Sequence, residues 1–137
     1  MKIGELAKQS GLSAHTLRYY EKQGLLTATA RSESNYRLYD QQALGTARFI
    51  KRSREIGFSL EEVAVFLSIR ADKPAHVCAE AKTLAENKIV DVEQKISELK
   101  QLLSALHKLS DACCGGNESA EHCSIIDALE QSDQEAS

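Results

Sequence analysis

Between Pro74 and Leu109 the apolar positions Ala85, Ile89, Val92, Ile96, Leu99, Leu103 and Leu106 recur at alternating spacings of four and three. That pattern is a heptad seam. It predicts one long amphipathic helix over 74–109, with Pro74, the only proline, placed where a helix begins. Glu86, Lys88, Asp91, Glu93, Lys95, Glu98 and Lys100 fill the intervening positions with charges of both signs. An ordinary leucine stripe packs into a monomer core. A strict seven-residue repeat, with no second long helix in the chain, points instead to pairing with a second copy.

The N-terminal half has shorter periods. Ile3, Leu6 and Ala7 make a brief helical face that Gly11 ends. Ser13 is an N-cap for a second helix with Leu17 and Tyr20 inward and His15, Thr16, Arg18, Tyr19 and Lys22 outward. Two short helices through a glycine turn form a helix-turn-helix candidate whose outer residues suit base edges and phosphates. Thr27 and Thr29 favour a strand, residues 32–35 a turn, and 36–39 alternate again. The expectation is a small hairpin, or wing, carrying Arg31, Asn35, Tyr36 and Arg37. Asp40 caps a helix to Ile56 that Gly57 ends, with Phe49, Ile50 and Ile56 as its apolar component. Ser59 and Glu62 form a capping-box pair, opening a helix with Val63, Phe66 and Leu67 inward, and residues 70–73 connect it to the long helix. After Cys123 come Ile125, Ile126 and Leu129, then a polar tail.

The predicted fold is thus mainly α. It comprises a winged helix-turn-helix head over 1–70, a dimerisation helix over 74–109, a cysteine loop and short helix over 110–131, and a disordered tail over 132–137.

No run of about 18 apolar residues marks a membrane span, and the N-terminus lacks a signal peptide's apolar stretch. A cytoplasmic protein is expected, where four cysteines serve as thiolates or metal ligands more often than as disulfides. The net charge of −3 conceals an asymmetry. Residues 1–70 carry 11 Lys+Arg against 7 Asp+Glu, and residues 71–137 carry 6 against 13. Only the basic head is suited to approach a polyanion.

The cysteines constrain the pairing. Cys78 lies one heptad before Ala85, and Cys113, Cys114 and Cys123 follow the helix. Thirty-five residues of helix separate Cys78 from Cys113, roughly 52 Å. The 113–123 segment reaches at most about 35 Å, too little to return to its own Cys78. Four cysteines acting together therefore require an antiparallel homodimer with shared sites.

The strings IGELAKQSGLSAHTLRYYEKQGLL and SNYRLYD resemble the MerR family of dimeric transcription regulators. DACCGG followed by CSIIDALE, with a cysteine at the head of the long helix, resembles its zinc-responsive branch; the cadmium- and lead-responsive branch is close. The resemblance implies a non-enzymatic, metal-responsive activator that binds double-stranded promoter DNA through Thr16, Arg18, Tyr19, Tyr36 and Arg37. It implies that the bound dimer distorts an overlong promoter spacer to engage RNA polymerase, at the promoter of a metal-export or resistance gene. Where the zinc branch has a histidine in its loop this chain has Glu118, and its loop histidine is His122. One ion or two, and zinc, cadmium or lead, therefore stay open.

Thiolates select soft or borderline ions, and zinc takes four ligands. Cys78 of one chain with Cys113 and Cys123 of the other supplies three. Cys114, His122, His76, Glu118, a water or an anion is left for the fourth. The alternatives are a purely structural zinc clip, a redox pair at Cys113 and Cys114 and, last, an enzyme, since no acid–base or nucleophile constellation surrounds the cysteines.

Overall fold

The computed structural model describes residues 1–135; the last two residues of the expected tail lie outside the described ones. The chain divides into two compact units, Met1–Lys88 and the residues from Ile89 onward.

Capping chemistry sets the helices of the first unit. Helix α1 (Ile3–Ser10) ends where Gly11, at φ 76°, donates its N–H to the Ala7 carbonyl. A Cβ at that glycine would meet Lys51 Nζ at 2.6 Å, so the turn is also a close approach. Helix α2 (Ala14–Lys22) starts from Ser13, whose hydroxyl accepts the Thr16 N–H at 3.0 Å. Strands β1 (Ala30–Arg31) and β2 (Arg37–Leu38) pair antiparallel, Ala30 opposite Leu38 and Arg31 opposite Arg37. The paired strand is Ala30–Arg31; of the two threonines that favour a strand, Thr29 donates its N–H to the Leu38 carbonyl at 2.8 Å beside it, and Thr27 lies outside the pairing. Helix α3 (Gln41–Ile56) is capped by Asp40 and stopped by Gly57 at φ 111°. Helix α4 (Leu60–Ala71) has the reciprocal Ser59–Glu62 capping box.

Leu6, Leu17, Ile50 and Val63 are fully buried, with Tyr20, Leu26, Tyr39, Leu44 and Ala47 around them. Helix α1 packs on α2 and α3, and α3 on α4. Ile56, counted in the apolar component of α3, is exposed at its end, whereas Ala43 and Ala47 are buried beside Leu44 and Ile50. Small residues let these helices approach closely, which a reading weighted to large side chains overlooks.

Pro74 lies in a separate 3-10 turn (Lys73–Ala75), and His76 leaves helical geometry before α5 (Cys78–Asp111) begins. The long helix therefore starts at Cys78, not Pro74, and Arg70 and Ala71 belong to α4. Its first turns join the first unit through Ala85 against the core and a 2.9 Å ion pair from Lys88 to Glu62. Beyond Lys88 the seam residues Ile89, Val92, Ile96, Leu99, Leu103 and Leu106 are 42–63% exposed. The second unit continues through a 3-10 turn (Ala120–His122) into α6 (Ser124–Glu135), which takes in the backbone of residues 132–135. Among the described residues no helix is long and apolar enough to cross a membrane.

Candidate nucleic-acid face and thiol cluster

Helix α2 turns Leu17 and Tyr20 into the core, so Arg18 and Tyr19 face outward with His15 and Lys22. Thr16 is half-buried, and its hydroxyl accepts from Ser13 Oγ at 2.8 Å. The wing brings Tyr36 and Arg37 beside α2. Together with Lys2, Arg18, Arg31 and Asn35 they line a cavity of about 500 Å³ in the first unit. Lys2 Nζ lies 4.5 Å from the centre of the Tyr36 ring, a cation–π contact. Asn35 takes a left-handed φ of 64° at the wing tip, and its carbonyl accepts from Arg31 Nη1 at 3.3 Å. Three of the five residues expected to meet DNA, Arg18, Tyr36 and Arg37, thus line one cavity; Tyr19 is exposed on α2, and Thr16 is tied to its own helix cap.

Arg31 and Asn35, expected on the wing, join that surface, and Lys2 and Glu21 join it from outside the expected residues. Glu21 was visible as the acid of the R-Y-Y-E string; no local pattern marks Lys2. Glu21 Oε2 is 2.8 Å from Arg37 Nη1, and Oε1 accepts the Tyr39 hydroxyl at 2.6 Å. Burial, with that carboxylate beside it, pushes the Tyr39 phenol up to about 12. The hydroxyl therefore remains a donor throughout the physiological range.

The cysteines fall in two places. Cys78 is exposed in the first turn of α5 and shares a cavity of about 530 Å³ with Phe49, Phe66, Ile69, Arg70 and His76. His76 Nδ1 is 3.0 Å from Glu80, whose carboxylate also accepts the Val77 N–H at 2.8 Å. Those contacts, Val77 first, hold the Glu80 carboxyl below its usual range. His107 is exposed on α5.

In the second unit Cys113, Cys114, Glu118, His122 and Cys123 line a cavity of about 560 Å³. Cys123 precedes α6, and the free N–H groups of Ile126 and Ile125 point at its sulfur. These, with a hydrogen bond from the neighbouring Cys113 thiol, draw its pKa down, favouring thiolate. Cys113 Sγ itself accepts the Gly115 N–H at 3.5 Å. Among the described residues no three His, Cys, Asp or Glu side chains gather as a metal site. One chain brings together Cys113 and Cys123; Cys114 and His122 stand on the rim of the same cavity, and Cys78 lies in the other unit.

Residues 1–68 match the model of the MerR HTH family regulatory protein, and residues 45–109 that of the MerR DNA-binding region. The HTH-type transcriptional regulator ZntR of Escherichia coli K12 is 43% identical over 130 residues, covering 95% of this chain and 92% of that protein. The transcription regulator PbrR691 from Ralstonia metallidurans CH34, solved in complex with lead(II), superposes with a TM-score of 0.83 at 37% identity, over 94% of this chain and 98% of that one. The regulator HiNmlR, solved bound to promoter DNA, gives a TM-score of 0.53 at 29% identity, over 82% of this chain and 84% of that one.

Proposed function

The chain belongs to the MerR family of HTH-type transcriptional regulators, a family of DNA-binding proteins and not of enzymes, and we propose that it is a zinc-responsive activator of a metal-export or resistance promoter. The observation that carries the reading is the apposition of Cys113 and Cys123, one of them drawn toward thiolate. Two sulfurs fall short of the three or four donors a thiolate metal site takes. A second copy, antiparallel along the exposed seam, supplies its Cys78, and Cys114 or His122 completes the set. When bound, the ion replaces thiol protons with a divalent charge and cross-links the two chains.

Arg18, Tyr19, Tyr36 and Arg37, with Thr16 at the helix start, hold the promoter duplex in both metal states. The metal-free dimer represses. The metal-loaded dimer holds its two heads so that the spacer bends and untwists and RNA polymerase engages, a shape change offset by phosphate contacts. Metal and DNA contact different residues, so the signal is a shift between two arrangements of the heads.

The test uses a promoter duplex selected from a random pool with the wild-type chain. Cys113→Ser and Cys123→Ser are expected to bind that duplex within a few-fold of wild type and to give no metal-dependent transcript. Loss of duplex binding in Cys113→Ser would make the metal a structural clip and not a switch. Glu118, in a loop whose zinc-branch counterpart has histidine, and the lead(II) held by PbrR691 favour cadmium or lead as the second reading. Competition titrations with the three ions on the same protein separate them.

A further inference from the structure

Glu21 is a carboxylate on the face that this reading turns toward a polyanion, and nearby phosphates repel it. Its position shows what it does there. The side chain is 12% exposed, and both oxygens are engaged, one by Arg37 and one by Tyr39. Tyr39 is buried at the base of the wing, where its N–H donates to the Met1 carbonyl at 2.7 Å. Arg37 keeps 48% of its side chain exposed. One edge of its guanidinium is therefore held from behind while other donors face out.

The strand register gives this pairing a purpose. Arg31 and Arg37 are directly opposite each other, an arrangement in which like charges repel. Asn35 takes Arg31 through its carbonyl at 3.3 Å and its side-chain oxygen at 3.4 Å, and Glu21 takes Arg37. Without Glu21 the Arg37 side chain has no fixed direction, and the Tyr39 hydroxyl loses the acceptor that ties the wing to α2.

We propose that Glu21 is a positioning residue for DNA recognition, holding Arg37 and the wing base against α2 so that the guanidinium meets its phosphate in a preset geometry. The inference rests on the DNA-binding reading above. It predicts an effect opposite in sign to simple charge: removing this negative charge weakens specific binding.

The experiment is a double-mutant cycle on the full-length, metal-free protein, with the selected duplex and a scrambled duplex of the same composition. Glu21→Ala is expected to bind the selected duplex roughly tenfold more weakly, the scale of one lost charge-assisted contact, while binding the scrambled duplex at least as well as wild type. Glu21→Gln, which keeps one acceptor oxygen and the side-chain volume, falls between and carries the cycle should Glu21→Ala not fold. On an Arg37→Ala background the Glu21 substitution changes affinity by less than about twofold. If Glu21→Ala tightens binding to both duplexes, leaves it unchanged, or loses as much with Arg37 absent as present, the inference is overturned while the DNA-binding reading stands. Wild-type affinity in Arg37→Ala overturns the inference and removes the wing arginine from the interface as well.

Discussion

Glu62 shows how one side chain closes two structures. Its carboxylate accepts the Ser59 N–H at 2.8 Å, completing the α4 capping box, and pairs with Lys88 at 2.9 Å, fastening α5 to α4. These contacts, the Ser59 N–H first and Lys88 next, lower its pKa to about 2 from the ordinary 4.5. A carboxyl whose folded pKa is depressed stabilises above its unfolded pKa and loses that contribution as pH falls toward the folded one. The expected outcome is that Glu62→Gln costs stability at neutral pH, and that its difference from wild type shrinks between about pH 4.5 and 2. Urea unfolding across that range measures it; a pH-independent difference would show that the Glu62 charge stabilises neither the cap nor the pair with Lys88. The caps at Ser13, Asp40 and Ser59 were legible in the sequence because their acceptors lie three residues from their donors. The Lys88 partner was not, because 26 residues separate it from Glu62 and no local pattern reports the packing that joins them.

At the scale of elements, the wing depends on its tip. Asn35 is the only non-glycine residue at positive φ among the described residues, and it accepts from Arg31 at the same time. Asn35→Val puts a branched Cβ where left-handed geometry costs roughly 1–2 kcal/mol and deletes the side-chain oxygen that Arg31 Nη1 reaches at 3.4 Å, leaving the backbone carbonyl. Weaker duplex binding with little change in metal affinity is expected, read by fluorescence anisotropy on the same preparations. Asn35→Gly keeps the turn and is the control. The second loop depends on α6. Its free N–H groups act on Cys123 alone, so in the metal-free protein Cys123 should alkylate faster at pH 7 than Cys78 or Cys114. Timed iodoacetamide labelling with peptide mass spectrometry checks this; equal rates would show that the α6 N-terminus does not activate the thiol. Helices α1 to α5 were readable from period and caps; the 3-10 turns and the reach of α6 to Glu135 were not. The strands were readable only in outline, since two-residue strands are set by a turn and by neighbours remote in sequence.

At the scale of the molecule, the candidate site is split in sequence and incomplete in one chain. The sequence marked all four cysteines, and helix rise and chain reach, which bound which thiols can meet, are what led to the expectation of antiparallel pairing. It could not mark which thiols adjoin within a chain; that depends on the 112–123 loop, whose turn at Gly115 has no periodicity. Equimolar Cys78→Ser and Cys113→Ser chains, mixed and allowed to exchange subunits, should recover one intact site per heterodimer. Chelator competition on the mixture should therefore reveal a tight class of sites that neither parent shows. A mixture no tighter than its parents would rule out sharing between chains.

The uncovered aliphatic stripe from Ile89 to Leu106 also bears on company. A cell that carries several regulators built to this plan faces a sorting problem, because leucines, isoleucines and valines alone do not tell one sister chain from another. In the proposed dimer, discrimination falls to the flanking charges Glu86, Asp91, Glu93, Lys95, Glu98 and Lys100, since like charges repel a mismatched helix. Fidelity of pairing in that dimer then resides in side chains outside the candidate thiol cluster and the candidate DNA face. Reversing the signs of those charges on one chain of it alone would weaken its pairing with an unaltered copy.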